Sequence, residues 1–355
     1  MGEWREVKLA EVIKFGNGKK KPDTDGNIPI YGGNGILGYS SDSNYEDETI
    51  IVGRVGAYCG SVYYENNPIW VSDNALSAKP KDDNHTRFLY YFLKHAQLNQ
   101  HAGGSSHPLV TQTLLNSLEY NFCTDITEQK AIAEVLSSLD DKIDLLHRQN
   151  KTLEELAQTL FRQWFIEEAK DDWKASTLGE VISIFDSKRV PLSKMKRDKL
   201  KDGILYPYYG AAKIMDYIND YIFDGEYILM GEDGTVRTDD GYPILQYATG
   251  KFWVNNHTHV LQAKEPYSNY FIWSYLLEKN IDEIVTGAVQ PKINQTNLKS
   301  LDFPKYPLNK VLQFNEQADT LLEKINQNKQ QIKTLENMRD TLLPKLISGE
   351  VRIKL

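Results

Sequence analysis

The sequence predicts an α+β protein made as a tandem duplication. Two globular mixed α/β domains are expected, joined by two long helices that form a coiled coil. Three observations carry this. Residues recur in order along the 355-residue chain at an offset near 180; two segments of about 40 residues keep a heptad-like apolar spacing; and the remainder is written in short apolar runs bounded by Gly, Asn and Asp, the grammar of strands and turns.

The repeat comes first, because missing it would misassign everything else. Trp4, Leu9, Glu11, Val12 and Ile13 return as Trp173, Leu178, Glu180, Val181 and Ile182. Pro29, Tyr31, Gly32, Gly53 and Gly56 return as Pro207, Tyr209, Gly210, Gly231 and Gly234. Trp70-Val71, Phe88, Gly104 and Pro108 return as Trp253-Val254, Phe271, Gly287 and Pro291, and Lys151-Thr152-Leu153-Glu154 as Lys333-Thr334-Leu335-Glu336. The boundaries that follow are 1–124 and 169–308 for the domains, with 125–168 and 309–355 for the two helices and the C-terminal tail. Within the domains, Thr49-Ile50-Ile51-Val52 and Tyr227-Ile228-Leu229-Met230 read as strands, and one helix per unit is expected near 85–100 and 268–281.

In the first long segment the seam runs through Ile132, Leu136, Leu139, Ile143, Leu146, Asn150, Leu153, Ala157, Leu160 and Trp164. In the second it runs through Phe314, Ala318, Leu321, Ile325, Asn328, Ile332, Leu335, Arg339, Leu342 and Leu346. If the two helices pair antiparallel, matching the two seam amides, Asn150 with Asn328, sets the register. It pairs Ile143 with Leu335, Leu146 with Ile332, Ala157 with Leu321 and Leu160 with Ala318. Two unmatched buried amides would each cost about 1–3 kcal/mol, which argues against sliding by a heptad. In this register Arg339 faces Leu139 and is expected to reach outward to solvent.

Composition narrows the function. Apolar residues make up 41% and charged residues 25%, ordinary for a folded chain. No apolar run reaches the roughly 18 residues of a membrane span. Met1-Gly2-Glu3-Trp4 does not open like a secretory leader, and two cysteines are too few for a disulfide framework. A reducing, cytoplasmic setting is the expectation. The net charge of −8 is carried by the first half: residues 1–168 hold 16 basic and 24 acidic groups. Such a chain needs a local basic face, or a partner, to hold nucleic acid.

The tools of catalysis are missing from the sequence. Gly16-Asn17-Gly18-Lys19-Lys20-Lys21 lacks the spacing of a phosphate-cradling loop and reads as a basic turn. Asn67-Pro68-Ile69-Trp70 faintly echoes the Asn-Pro-Pro-aromatic loop of amino-methyltransferases, without a glycine fingerprint for the methyl donor. His257 and His259 alternate on an expected strand, but no third ligand lies nearby in sequence, so no metal site is assigned.

Leu160-Phe161-Arg162-Gln163-Trp164-Phe165 and Leu342-Leu343-Pro344-Lys345-Leu346-Ile347-Ser348-Gly349-Glu350-Val351 resemble the helix ends of the specificity subunits of type I restriction–modification systems. Thr286-Gly287-Ala288-Val289-Gln290-Pro291-Lys292-Ile293-Asn294 resembles that family's signature turn. The first unit departs from it, with Gly103-Gly104-Ser105-Ser106-His107-Pro108 in its place. The resemblance implies two target-recognition domains held apart by two antiparallel helices with pseudo-two-fold symmetry, in a non-catalytic subunit that reads double-stranded DNA and assembles with two methyltransferase subunits and, for cleavage, two motor–nuclease subunits. S-adenosylmethionine, and ATP with Mg for cleavage, would sit on those partners, and this chain would bind no cofactor itself.

Two readers facing one side of a duplex should lie about one turn, ~34 Å, apart. Helices of about 40 residues span ~60 Å, enough to set that distance. The second unit gains nine residues between Ile182 and Pro207, a stretch holding Lys188, Arg189, Lys194, Lys196, Arg197, Lys199 and Lys201. Its shorter counterpart holds Lys19, Lys20 and Lys21. These basic loops are the expected DNA-facing segments, with Arg54, Arg237, Gln290 and Lys292 as further candidates for base edges. A competing reading is a coiled-coil scaffold whose globules bind protein or glycan partners through Tyr31, Tyr39, Tyr206, Tyr208 and Tyr209. A third is a methyltransferase with an unfamiliar donor site.

Overall fold

The structure, a computed structural model, describes residues 4–104, 108–169, 173–287 and 289–353. Two compact units divide the chain: residues 1–148 with 328–355, and residues 149–327. Each unit therefore owns one globule and half of each long helix.

In the first unit, the strand Trp4–Lys8 pairs antiparallel with Glu119–Cys123. A four-stranded antiparallel sheet follows in the order Ile13–Asn17, Ala75–Pro80, Thr49–Gly53, Val62–Glu65. Thr49–Gly53 is buried throughout, as a β-branched central strand should be. A smaller sheet sets Ile28–Gly32 between Gly35–Ser40 and Trp70–Val71. The helix Thr86–His95 is capped by His85 and lays Phe88, Leu89, Phe92 and Leu93 into the core.

The second unit repeats the plan as one six-stranded sheet in the order Ile182–Ile184, Thr258–Ala263, Phe223–Gly231, Leu245–Val254, Tyr206–Tyr209, Ile214–Ile218. Its helix Asn269–Glu278 buries Tyr270, Phe271 and Tyr275. The repeat extends to the strand partners. Tyr31 pairs in parallel with Val71, and Tyr209 in parallel with Val254. These are the residues whose recurrence marks the duplication.

The long helices run Ile126–Arg162 and Leu308–Ile347. Asp125 starts the first one, its carboxylate accepting from the Thr127 and Glu128 N–H groups. Gly349, at φ +78°, follows the end of the second. Within the first unit, Ile132 and Leu136 share a core with Leu346 and Ile347, while Ile143 and Leu146 cluster with Ile332 and Leu335. Within the second, Ala157 and Phe161 share a core with Ala318 and Phe314. Low numbers on one helix thus meet high numbers on the other, so the pairing inside each unit is antiparallel. Asn150 falls in the second unit and Asn328 in the first, and both are buried.

Two details depart from the sequence reading. Arg339 does not reach outward; it bonds Asp140 at 2.9 Å, and the same carboxylate accepts from the Tyr91 hydroxyl at 2.7 Å. A cation at a seam position found an acid one residue past the expected Leu139. At the end of the first helix, Phe161 and Phe165 are buried, while Leu160 and Trp164 lie at the margin. A 3.6-residue helix drifts away from a 3.5-residue repeat, and a π-turn at Gln163–Glu167 completes the rotation.

Candidate nucleic-acid interface

In each unit a basic segment lies against an outer hairpin whose edge strand exposes large apolar side chains. In the first unit the hairpin is Ile28–Gly32 with Gly35–Ser40, and Ile36, Leu37 and Tyr39 are about half exposed. In the second it is Tyr206–Tyr209 with Ile214–Ile218, where Ile214, Met215 and Tyr217 are exposed. Leu37 folds back over Gly32, and its repeat partner Met215 folds back over Gly210; a Cβ at either glycine would overlap those side chains.

The basic segments are fixed by their backbones. The Lys19 N–H donates to the Val71 carbonyl at 3.0 Å, and the Trp70 indole donates to the Lys19 carbonyl at 3.3 Å. Lys19, Lys20 and Lys21 are exposed, with no acidic partner among the described residues. In the second unit the Trp253 indole donates to the Val190 carbonyl at 2.6 Å. A short helix, Lys194–Asp198, is capped by Ser193. Lys194, Lys196 and Lys199 are exposed and also lack acidic partners among the described residues, and Lys188 lies over the Phe185 ring at 5.1 Å.

The arginines behave differently. Arg189 turns inward, donating to the Thr258 carbonyl at 2.6 Å and pairing with Glu232 and Asp186. Arg197 pairs with Asp216 at 2.9 Å, donates to the Leu192 carbonyl at 2.7 Å, and covers the Tyr208 ring. Lys201 joins it on Asp216. Hydrogen bonds from Lys201 and then Arg197 overcome the small effect of burial and hold the Asp216 carboxyl down at about 2. Arg189, Arg197 and Lys201 are therefore not among the free cations that the sequence alone suggested.

Arg54 has no acidic partner among the described residues, and its Nε is buried. Arg237 is exposed and pairs with Asp282 at 3.1 Å. Gln290 is exposed, and Lys292 lies 3.6 Å from Glu232. The backbone hydrogen bonds that flank the signature turn are alike in both units despite its different sequence. Gly103 and Leu109 exchange backbone hydrogen bonds, as do Thr286 and Lys292. The Gly56 N–H reaches the Pro108 carbonyl as the Gly234 N–H reaches that of Pro291. Ser105, Ser106, His107 and Ala288 of those motifs lie outside the described residues.

Sequence reasoning missed a buried ionic cluster in the second unit. His259 bonds Asp186 Oδ2 at 2.6 Å and the Ile293 carbonyl at 2.8 Å, and Asp186 also accepts from the Val260 N–H and from Gln295. Although burial raises the Asp186 carboxyl, these hydrogen bonds, that from His259 foremost, hold it below its ordinary range. Asp186, Glu232 and His259 approach one another closely enough to suggest a metal. However, the Arg189 guanidinium already pairs with both carboxylates. A cation is in place, and it is a side chain.

Of the tyrosines offered for a ligand groove, Tyr31 and Tyr208 are buried and Tyr209 packs edge-on against Phe252. Tyr39 alone among those five is mostly exposed. This does not favour the scaffold reading.

Each of the two duplicated globules thus presents a lysine-bearing segment beside an exposed hairpin. The chain belongs to the type I restriction modification DNA specificity domain family, whose model matches residues 1–155 and 170–337. It is 27% identical over 341 residues to the type I restriction enzyme MjaIX specificity subunit of Methanocaldococcus jannaschii, across 83% of this chain and 76% of that one. It is 35% identical over 148 residues to the putative specificity subunit S.HindORF215P of Haemophilus influenzae, across 42% of this chain and 36% of that one. In fold it is similar to the crystal structure of the type I restriction–modification S subunit from M. genitalium, with a TM-score of 0.64, 19% identity, and coverage of 98% and 96% of the two chains. As a type I specificity subunit, it is a non-catalytic chain for DNA target recognition. Among the described residues no helix is long and apolar enough to cross a membrane.

Proposed function

We propose that each globule reads one half of a two-part, asymmetric duplex target, and that the chain thereby directs adenine methyltransferase subunits to it. The observation carrying this is the repetition, in two globules of different sequence, of one construction: an outer hairpin with exposed apolar side chains beside lysines that have no acidic partner among the described residues. Phosphate contacts position a protein on DNA while groove contacts specify; the lysines suit the first task and the hairpins the second. The chain's net charge of −8 fits a subunit whose partners supply much of the phosphate neutralisation.

In this reading the assembly holds two methyltransferase subunits and, where the system cleaves, two motor–nuclease subunits, and it works in the cytoplasm. The methyl donor S-adenosylmethionine belongs to the methyltransferase, and ATP and Mg to the motor–nuclease. The chain itself holds no cofactor. The test is selection from a random duplex library with the chain alone and with its methyltransferase, followed by sequencing of the retained DNA. An enriched two-part motif is expected in the assembled complex. No enrichment in either condition would overturn the proposal and favour the scaffold.

A further inference from the structure

The two arginines of the basic segment in the second unit do the opposite of its lysines. Arg189 anchors the start of the segment in the ionic cluster, bonding Asp186, Glu232 and the Thr258 carbonyl. Arg197 anchors its middle on Asp216 of the hairpin's outer strand and on the Leu192 carbonyl. Each guanidinium is a rigid fork able to bind several acceptors at once, and their side chains are only 11% and 13% exposed. Between and around these anchors Lys188, Lys194, Lys196 and Lys199 have no acidic partner among the described residues.

The anchoring acids also reach the other candidate elements. Glu232 meets Lys292, and its carbonyl accepts from the Ile293 N–H, so it ties the signature turn to the root of the basic segment. Asp216 belongs to the exposed hairpin itself. Among the described residues the first unit shows no such arrangement. The Arg54 carbonyl accepts from Val110 as that of Glu232 accepts from Ile293, so Arg54 stands where Glu232 does. Leu76 stands, by the same repeat, where His259 does.

We infer that Arg189 and Arg197, held by Glu232 and Asp216, are positioning residues of the second reader: they fix the lysine segment against the hairpin and the signature turn, and themselves touch no phosphate. The inference rests on the DNA-reading function proposed above. It assigns a specificity role to two carboxylates, groups that mere attraction to phosphate would treat as a hindrance.

That contrast supplies the experiment. Glu232→Gln and Asp216→Asn are each made in the full chain, assembled with its methyltransferase, and assayed on duplexes with a mismatch in the first or the second half of the target. The expected result is a loss of discrimination at the second half of roughly tenfold, within the usual cost of one mismatched base pair. Discrimination at the first half and the salt dependence should stay as in the wild type. Arg197→Ala should likewise leave the salt slope unchanged. Tighter binding with unaltered discrimination in the carboxylate variants would overturn the inference, as would a slope reduced by about one in Arg197→Ala. Asp216 lies at the hairpin edge, so its variant keeps the test decisive if Glu232→Gln fails to fold. A wild-type complex that discriminates at neither half would instead overturn the DNA-reading function, and this inference with it.

Discussion

Replacing Lys194, Lys196 and Lys199 together by alanine should weaken DNA binding through charge alone. None of the three has an acidic partner among the described residues, and all are exposed, so their removal should change stability by no more than about 0.5 kcal/mol. Alanine also suits the short helix Lys194–Asp198 in which two of them sit. Each phosphate neutralised contributes about 0.9 to the slope of log affinity against log salt. If all three contact phosphate, the slope should fall by about 2.7, and between 50 and 200 mM salt the wild type should lose roughly 40-fold more affinity than the variant. Fluorescence anisotropy of the assembled complex on a labelled duplex, titrated at several salt concentrations, reads this directly. An unchanged slope would assign the segment to solvent and refute the electrostatic argument. Arg197 does not belong in this set, because its charge is met by Asp216.

Other outcomes follow from specific contacts. Asp140→Ala strips Arg339 and the Tyr91 hydroxyl of a shared acceptor; a stability loss of about 2 kcal/mol is expected in urea unfolding, and a change below about 0.5 kcal/mol would show the contact to be idle. The Asp216 carboxyl should titrate near 2 by NMR. Because its folded value lies below the ordinary one near 3.8, its contribution to stability is complete above about pH 4 and disappears as pH falls toward 2. Lys201→Ala with Arg197→Ala should return it to the ordinary range, and a midpoint that stays put would disprove the assigned cause. Calorimetry of the isolated chain with S-adenosylmethionine should show no binding; stoichiometric binding would place the donor site on the wrong subunit.

The sequence displayed the architecture well because architecture rests on periodicity and recurrence. Tyr31 with Val71 and Tyr209 with Val254 could be matched by offset before any strand partner was known. The heptad spacing gave both helices to within a few residues. What it hid depends on distant partners. Arg189 and Lys188 look alike in a row of basic residues, yet Arg189 meets an acid 43 residues away and Arg197 one 19 residues away. The signal available in the sequence was the contrast at repeat positions, Arg54 against Glu232 and Leu76 against His259, which marks where the two units are built differently. The signature turn shows the converse. Its side chains differ between the units, but the backbone hydrogen bonds that flank it are the same.

The proposed division of labour gives each globule its own half of the target. It is tested most directly by exchanging residues 1–124 for the equivalent region of a relative with a different target, and sequencing the methylated sites in cells that also carry the methyltransferase. One half of the methylated motif should change while the other half stays as it was. Change in both halves, or in neither, would contradict it.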